Sequence, residues 1–298
     1  MTSQIPAIEA LHVTRRYGNT VALDNVSFTV PQHGIVGLLG RNGAGKTTLM
    51  SILTGQDRAD AGSVQVLGHN PYEHPATLGQ ITFIRDNQRY PEDYKLRHAL
   101  EAASIFHEHW DQALADRLVD LFRLPTKTGI RKFSRGQLSS VGITIGLASR
   151  APITFFDEPY LGLDATARQH FYDTLLADYA EHPRTILLST HLIDEMESLL
   201  ERVVVLDQGR VVLDTDVAEA KAQYCQLAGM RGAVEGVVGS AAVLRRHEVG
   251  GLLSVVVASP LTEHMQQAAK AAGVEASPVS LQQIVAALGA ADQDVAAA

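Results

Sequence analysis

The chain has 298 residues, of which 46% are hydrophobic and 19% are charged, so it can bury a sizeable core and is not a disordered chain. Its 25 Lys and Arg residues against 33 Asp and Glu residues leave a net charge of −8, which argues against a general nucleic-acid binder. A single cysteine excludes an internal disulfide, and neither a long apolar run nor a basic and apolar leader is visible, so we expect a soluble, cytoplasmic protein.

Short strand patterns alternate with helix patterns in the first part of the chain. A helix pattern at residues 45–54 ends before Gly55. Strand patterns occur at residues 25–30, 34–39, 63–67 and 81–85.

A block of helix patterns begins after Tyr94. Helices are predicted at residues 96–107 and 111–124, the second ended by Pro125, and a third begins at Ser134. The apolar face predicted for this third helix consists of Leu138, Val141, Ile145 and Ala148.

Strand patterns then return at residues 153–156, 185–189 and 202–206, with a helix pattern at residues 165–181. Fully apolar short strands separated by helices predict an α/β fold whose mostly parallel sheet is covered on both faces. The helical block is then an insertion into this core.

The composition changes after Asp216, where the chain becomes rich in Ala, Gly and Val. Residues 252–258 predict a strand, and residues 261–272 and 281–288 predict helices. We therefore expect one domain over residues 1–215, with a helical subdomain at about 92–150, and a small α/β module over residues 216–298.

Residues 40–48 read G-R-N-G-A-G-K-T-T and match the phosphate-loop pattern G-x-x-x-x-G-K-[ST] between a strand and a helix. The glycines at 40, 43 and 45 let backbone N–H groups turn toward an anion, and the helix start adds the positive end of its dipole. Lys46 supplies a positive charge for the β- and γ-phosphates, and Thr47 offers a hydroxyl to Mg²⁺.

Two later apolar strands end in polar residues, I-T-F-F-D-E at 153–158 and I-L-L-S-T-H at 186–191. Ligands of parallel sheets lie at the carboxyl ends of strands, so Asp157, Glu158 and His191 are expected near the phosphate loop. Asp157 fits a direct or second-shell carboxylate for Mg²⁺, and Glu158 fits a general base that orients water. His191 could hydrogen-bond the γ-phosphate or the attacking water.

A further anion site is indicated by F-S-R-G-Q at residues 133–137. Ser134 is a good N-cap for the helix that follows, and Gly136 allows a close backbone approach. The free N–H groups at this helix start would face the anion.

The order of these motifs resembles the ATP-binding subunit of ABC transporters over residues 8–215. F-S-R-G-Q is similar to the family's signature, Y-L-G-L-D after D-E-P resembles its D-loop, and Tyr17 resembles the aromatic residue that stacks on adenine. The resemblance implies a mostly parallel core, an antiparallel β subdomain and a helical insertion. It also implies ATP and Mg²⁺ as cofactors, with hydrolysis by Glu158 and His191.

The resemblance assigns further residues to the nucleotide. The implied ATP-binding residues are Tyr17, Gly40, Arg41, Asn42, Gly43, Ala44, Gly45, Lys46, Thr47 and Thr48. The residues implied to contact a partner subunit's ATP are Ser134, Arg135, Gly136 and Gln137, with Asp164 in the D-loop.

Two positions depart from the family pattern. The family has a glutamine after the strand equivalent to residues 81–85, where this chain reads D-N-Q from Asp86. Counting from the downstream helix favours Asp86, and Gln88 lies two residues later, so the implied metal ligands are Thr47, Asp157 and either Asp86 or Gln88. The signature carries Arg135 where the family commonly has glycine.

One ATP-binding domain followed by residues 216–298 resembles the ATP-binding subunits of ABC-2-type exporters of drugs, antibiotics or bacteriocins. This implies a membrane-spanning transporter subunit on a separate chain, a homodimer or heterodimer of ATP-binding subunits, no nucleic acid, and a place on the cytoplasmic face of the membrane. The alternatives are a soluble ABC ATPase without a transport role, an unrelated kinase or GTPase, and an inactive regulatory subunit. A single phosphate loop, the lack of sustained heptads and the lack of an N-K-x-D motif disfavour the first two, and the intact Lys46 and Glu158 disfavour the third.

Overall fold

The computed structural model describes residues 5–86 and 88–295, with side chains of the last helix described up to Gly289. The strands within these residues are β1 (Ile8–Tyr17), β2 (Thr20–Val30), β3 (Gly34–Leu39), β4 (Ala61–Val66), β5 (Ile81–Arg85), β6 (Ile153–Asp157), β7 (Thr185–Thr190), β8 (Arg202–Asp207), β9 (Arg210–Asp216), β10 (Cys225–Met230), β11 (Val243–Val249), β12 (Leu252–Val257) and β13 (Glu275–Pro278). The helices are α1 (Lys46–Leu53), α2 (Pro75–Leu78), α3 (Leu96–Phe106), α4 (Gln112–Leu121), α5 (Arg135–Ala148), α6 (Ala165–Glu181), α7 (Ile193–Met196), α8 (Val217–Gln223), α9 (Arg231–Val238), α10 (Glu263–Ala271) and α11 (Leu281–Val295), with 3₁₀ turns at Ile130–Lys132 and Glu197–Leu199.

The centre of the molecule is a six-stranded sheet in the order β5-β6-β7-β3-β8-β9. Its first five strands run parallel, and β9 pairs antiparallel with β8 at the edge. Every residue of β3, β6 and β7 is buried, as expected for strands covered on both faces. The predicted α/β fold with a mostly parallel sheet is confirmed.

A second, antiparallel sheet has the order β2-β1-β4 and forms the predicted antiparallel β subdomain. Residues from this sheet, such as Val13, Val26 and Val64, share a core with Leu49 of α1 and Phe155 of the central sheet. The antiparallel sheet therefore rests on the central sheet through α1.

The helical insertion consists of α3, α4 and α5, and it differs from the sequence prediction in two respects. Helix α4 ends at Leu121, before the predicted stop at Pro125, because Arg123 adopts a left-handed conformation with a φ of 51°. The apolar face predicted for α5 is packed in the core, but it is only part of the buried surface, because α5 is buried on all sides from Ser139 onward.

Helix α5 is buried at every residue from Ser139 to Ala148. Gly142 and Gly146 bring it close to the central sheet, since a Cβ at these positions would lie 2.7 Å from the Ile84 side chain and 2.5 Å from that of Phe156. These two glycines, four positions apart, form a contact face that cannot be recognised from the spacing of apolar residues.

The residues after β9 form a β-α-β-β-α-β unit with the antiparallel order β11-β12-β10-β13, which is the ferredoxin-like arrangement. Val234 of α9 and Ala269 of α10 pack on one face of this sheet, and Ile284 of α11 packs on the other with Tyr224. The backbone N–H of Leu281 donates to Glu197 Oε2 at 2.9 Å, so α11 is also hydrogen-bonded to the 3₁₀ turn that precedes β8.

Strands β6, β7 and β3 are neighbours, and their carboxyl ends meet at one edge of the central sheet. Asp157 pairs in register with Ser189, and Leu39 pairs with Thr190. The phosphate loop after β3, the acidic pair after β6 and the histidine after β7 are therefore adjacent, as predicted from the strand patterns. Among the described residues, no helix combines the length and apolar character that crossing a membrane requires.

Candidate nucleotide site

The phosphate loop joins β3 to α1 and depends on its glycines. Gly40 and Gly45 have φ values of 144° and 104°, and a Cβ on them would lie 2.2 Å from the Leu206 carbonyl oxygen and 2.6 Å from the Ala22 carbonyl oxygen. No other residue fits these two positions. Helix α1 begins at Lys46, and no described side chain caps its first turn, so its backbone N–H groups are available to an anion.

The Lys46 ammonium group lies inside this loop. Its Nζ donates to the carbonyl oxygens of Gly40 at 2.8 Å and Arg41 at 3.2 Å, and it lies 3.9 Å from Glu158 Oε1. Burial lowers the pKa of Lys46, and the nearby carboxylates of Glu158 and Asp157 act in the opposite direction. The same ammonium donors can serve phosphate oxygens in place of the loop carbonyls.

Asp157 connects three elements of the site. Its Oδ2 accepts a hydrogen bond from Thr47 Oγ1 of α1 at 2.9 Å, and its Oδ1 accepts one from Ser189 Oγ of β7 at 2.6 Å. Ser189 Oγ in turn accepts the backbone N–H of Glu158 at 3.0 Å. The structure thus brings Thr47 and Asp157 together as predicted, and Ser189 is a residue of this site that the sequence analysis missed.

Glu158 stands in a strained backbone position with its side chain directed at the histidine. Its φ is 49°, a left-handed value that is costly for a residue with a Cβ and that clusters at functional sites. His191 Nδ1 lies 3.1 Å from Glu158 Oε2. The two residues predicted to be catalytic are therefore in direct contact.

Tyr160 is the second residue that the sequence analysis missed. Its side chain is only 1% exposed, and its hydroxyl accepts the backbone N–H of His191 at 2.9 Å and lies 3.1 Å from His191 Nδ1. Thr190 Oγ1 donates to the same hydroxyl at 3.0 Å. Burial raises the pKa of Tyr160 to about 12, so the phenol stays protonated and keeps its hydrogen bonds at neutral pH.

Both missed residues stand directly beside motifs that the sequence analysis used. Ser189 stands two positions before His191 in the strand L-L-S-T-H, and Tyr160 follows D-E-P directly. Neither residue type is diagnostic alone, and their contacts depend on the pairing of β6 with β7.

These elements surround a cavity of about 450 Å³. Its lining residues are Thr20, Val21, Ala22, Asn42, Gly43, Gly45, Lys46, Thr47, Thr48, Arg85, Asp86, Asp157 and Glu158. The phosphate loop and the acidic pair thus line one cavity together with residues of β2.

The two candidates for the position after β5 differ in their placement. Asp86 lines the cavity, whereas Gln88 is not among the lining residues. The Gln88 Oε1 atom is buried and has no hydrogen-bond partner among the described residues. Of these two residues, Asp86 is the one that faces the cavity.

The residues of the signature lie at the start of α5. The Ser134 hydroxyl accepts the backbone N–H of Gln137 at 3.2 Å, and the Ser134 N–H donates to Gln137 Oε1 at 2.9 Å, which makes a capping box. One of the N–H groups expected to be free for an anion is thus used within the helix cap. A Cβ on Gly136 would lie 2.3 Å from the Gly162 carbonyl oxygen, so the predicted close approach at Gly136 is made to the segment after Glu158.

The remaining predicted residues lie around this centre. Asp164 caps α6 by accepting the Ala167 N–H at 2.8 Å. Tyr17 is at the end of β1, outside the cavity lining, and the Arg15 guanidinium lies 4.7 Å from its ring centroid. The Ala44 N–H donates to the Arg41 carbonyl at 3.1 Å within the loop.

The oxygen donors of the site fit Mg²⁺. The Thr47 hydroxyl and the Asp157 carboxylate are already 2.9 Å apart, and hydroxyl, carboxylate and phosphate oxygens are the ligands that Mg²⁺ prefers. No cluster of three His, Cys, Asp or Glu residues that could hold a metal ion occurs in the described part of the chain. An ion bound by Thr47 and Asp157 would therefore take its other ligands from nucleotide phosphates and water.

Comparison with known proteins identifies the family of this chain. The model of the ABC transporter family matches residues 23–161. The daunorubicin resistance ATP-binding protein DrrA3 of Streptomyces coeruleorubidus is 32% identical over 216 residues, which cover 70% of this chain and 68% of that protein. The doxorubicin resistance ATP-binding protein DrrA of Mycobacterium tuberculosis is 31% identical over 225 residues, which cover 72% of this chain and 66% of that protein.

The chain thus aligns with about two thirds of the length of these relatives. A solved ATP-binding subunit of an ABC transporter has a TM-score of 0.66 at 26% identity, and the match covers 73% of this chain and 92% of that structure. The chain belongs to the ABC transporter family, as an ATP-binding subunit.

Proposed function

We propose that this chain hydrolyses ATP to drive a membrane exporter. The observation that carries the proposal is that Lys46, Asp157 and Glu158 line one cavity and that His191 contacts Glu158 from behind the lining. The drug-resistance names of the relatives support export, since these proteins share more than 30% identity with the chain. The ABC-2-type resemblance of the domain order supports the same direction.

In this proposal Glu158 is the base that orients and polarises the attacking water. Its Oε2 is held by His191 and its Oε1 lies 3.9 Å from the Lys46 ammonium, so the carboxylate has a defined position beside the phosphate loop. Lys46 and the N–H groups at the start of α1 bind the β- and γ-phosphate oxygens. Bound Mg²⁺ would neutralise phosphate charge, and Thr47 and Asp157 are the residues that would hold it.

Dimer closure is the second part of the proposal. Ser134, Gly136 and Gln137 do not line the cavity of their own chain, which supports a role toward the nucleotide of a second subunit. The start of α5 rests on the segment after Glu158 through Gly136 and through Ser139 Oγ, which donates to the Leu161 carbonyl at 2.6 Å. The signature and the segment that follows the base are therefore mechanically connected.

Nucleotide binding and hydrolysis are tested with two variants. Lys46→Ala removes one charge-assisted contact of about 1.5–3 kcal/mol, so the Kd for Mg·ATP measured by calorimetry should rise at least about tenfold. Glu158→Gln should still bind Mg·ATP but hydrolyse it at least about a hundredfold more slowly. It should also elute as an ATP-dependent dimer from a size-exclusion column.

Lys127→Ala is the matched control, since that lysine is exposed in the loop after α4. An unchanged Kd for Lys46→Ala would contradict the phosphate-loop assignment, and normal turnover of Glu158→Gln would contradict the base role. Elution of Glu158→Gln as a monomer with Mg·ATP would remove dimer closure from the proposal.

The transport role is tested by purification from native cells. A tagged chain should be recovered from the membrane fraction in detergent together with a polytopic membrane protein, and that complex should hydrolyse ATP faster than the chain alone. Recovery only from the non-membrane fraction, with ATPase activity intact, would favour the alternative of an ABC ATPase without a transport role.

A further inference from the structure

The two residues that depart from the family pattern, Asp86 and Arg135, contact each other. Arg135 Nη2 donates to Asp86 Oδ1 at 2.8 Å and to Asp86 Oδ2 at 2.9 Å. Asp86 directly follows β5, and Arg135 is the first residue of α5, so the ion pair joins the central sheet to the helical insertion. The contact is made within one chain.

The charge balance of the cavity explains what this ion pair can do. Two lining cations, Lys46 and Arg85, stand against three lining carboxylates, Asp86, Asp157 and Glu158. A nucleotide triphosphate is strongly anionic, so an unpaired third carboxylate would oppose its binding.

The residue that pairs with Asp86, Arg135, is not part of the cavity lining, and both the guanidinium and the aliphatic part of its side chain are held in place. Its head is held by the carboxylate, and its stem packs on the backbone of the segment after Glu158, where a Cβ on Gly162 would lie 3.0 Å from Arg135 Cγ. Asp86 has about one third of its side chain exposed and Arg135 has 60%, so the pair is weak as a source of stability. Its effect is on the local charge at the mouth of the cavity.

We propose that Arg135 is a positioning residue for the nucleotide site of its own chain. It neutralises and orients Asp86, so that an acid can stand after β5 where the family carries a neutral glutamine. This inference rests on the proposed function, because it concerns the binding of ATP. It gives Arg135 a role within its own chain that differs from the role of the other signature residues toward a second subunit.

A double-mutant cycle tests the inference. The four proteins are the unmodified chain, Arg135→Met, Asp86→Gln and the double variant. Methionine keeps the apolar stem that packs on Gly162 and removes the charge. The Kd for Mg·ATP should rise by about two- to fivefold for Arg135→Met when Asp86 is present, which is the range of an exposed ion pair. With glutamine at position 86, the same substitution should leave the Kd unchanged.

The inference would be overturned if the effects of the two substitutions on the Kd for Mg·ATP were additive. If Arg135 contacted nucleotide directly, its loss would raise the Kd equally in both backgrounds. If Arg135→Met kept the original Kd with Asp86 present, the side chain would serve only for packing. Arg135→Lys should retain the original Kd, because a single nitrogen serves both carboxylate oxygens and an ammonium can replace it. A loss with lysine equal to that with methionine would also count against the ion pair.

A nucleotide-free measurement checks the contact itself. Asp86→Gln should speed amide hydrogen exchange at residues 134–138 by at most about fivefold, because an exposed ion pair contributes only a little to the stability of the start of α5. Unchanged exchange would show that the ion pair does not hold this segment. Failure of the unmodified chain to bind Mg·ATP would refute the proposed function, whereas normal binding with an additive cycle would refute only the role of Arg135.

Discussion

Replacing Ser189 by alanine tests whether the positions of Asp157 and Glu158 depend on hydrogen bonds from the neighbouring strand β7. Ser189 is fully buried in β7, and its hydroxyl donates to Asp157 Oδ1 at 2.6 Å while it accepts the Glu158 N–H at 3.0 Å. Alanine removes both hydrogen bonds and changes the side-chain volume very little. The variant therefore isolates the hydrogen bonds from packing.

The expected magnitude follows from the two contacts. Loss of the charge-assisted bond to Asp157 costs about 1.5–3 kcal/mol, and the partly buried N–H of Glu158 left without a partner costs about 1–3 kcal/mol. Since the two bonds share one hydroxyl, we expect a combined decrease of about 2–4 kcal/mol in the free energy of unfolding. With roughly 2–4 °C per kcal/mol for a domain of this size, the Tm should fall by about 4–16 °C.

Activity should fall as well, because the Ser189 hydroxyl holds the strained backbone of Glu158 at a φ of 49°. We expect kcat to decrease at least about tenfold, measured as phosphate release at saturating Mg·ATP, alongside thermal and urea unfolding. Ser198→Ala is the control, since that serine is exposed and lies nine positions away in the sequence. A Ser189→Ala protein with unchanged Tm and unchanged kcat would refute the role given to Ser189.

Three further substitutions test separate contacts. Tyr160→Phe removes the hydroxyl that holds the His191 backbone and ring, so kcat should fall about tenfold with KM little changed, measured by steady-state ATPase assays. Gly136→Ala places a Cβ 2.3 Å from the Gly162 carbonyl oxygen, so the start of α5 must move, and stability measured by urea unfolding should fall by about 1–3 kcal/mol. Gly289→Leu should lower stability by a similar amount where α11 lies against the phosphate loop, whereas Gly289→Ala should change it by less than about 0.5 kcal/mol, both by urea unfolding.

Each of these substitutions has a control of the same chemistry. Tyr172→Phe alters a tyrosine of α6 whose hydroxyl contacts Glu195, and it should leave kcat near its original value. Gly129→Ala adds a Cβ whose nearest neighbour is 3.8 Å away, at an ordinary φ of −66°, and should be tolerated. If a variant and its control lost equal amounts of kcat or stability, the role given to that contact would be contradicted. The same holds if leucine and alanine at position 289 changed the stability equally.

The central sheet was predictable because its strands are short, apolar and separated by helices. Residues 81–85 and 165–181 were predicted with the bounds that the structure has, for β5 and α6. The polar residues at the ends of β3, β6 and β7 were predictable for the same reason, since parallel strands present their carboxyl ends at one edge. No tertiary information was needed to expect Lys46 near Asp157.

Other elements were missed because their patterns are irregular. Strand β1 reads I-E-A-L-H-V-T-R-R-Y, and its pairing with β2 shifts register at three places, so the apolar residues do not alternate cleanly. Strand β11 is mostly exposed and carries three charged residues among its seven, and it is held by its pairing with β12 and by ion pairs such as Arg246 with Glu235 of α9. Such strands are set by their neighbours and not by their own periodicity.

The hydrogen bonds within the site depend on which residues of adjacent strands face each other. Asp157 meets Ser189 because β6 and β7 pair in that register, and a shift of one residue would separate them. A single sequence does not reveal this register, so neither Ser189 nor the contact of Tyr160 with His191 could be derived from it.

The group of residues around Glu158 and the entrance of the cavity are constructed in different ways. Asp157 and Ser189, which flank Glu158, are buried on adjacent strands, so their hydrogen bonds are fixed before nucleotide arrives. Asp86 lies at the end of the outermost strand β5, and Arg135 approaches it from the helical insertion, so their contact depends on how the insertion rests on the sheet. Movement of α5 would therefore change the charge at the entrance, and through Gly136 and Ser139 it would also act on the segment after Glu158. This arrangement gives the helical insertion a direct electrostatic connection to the nucleotide site of its own chain.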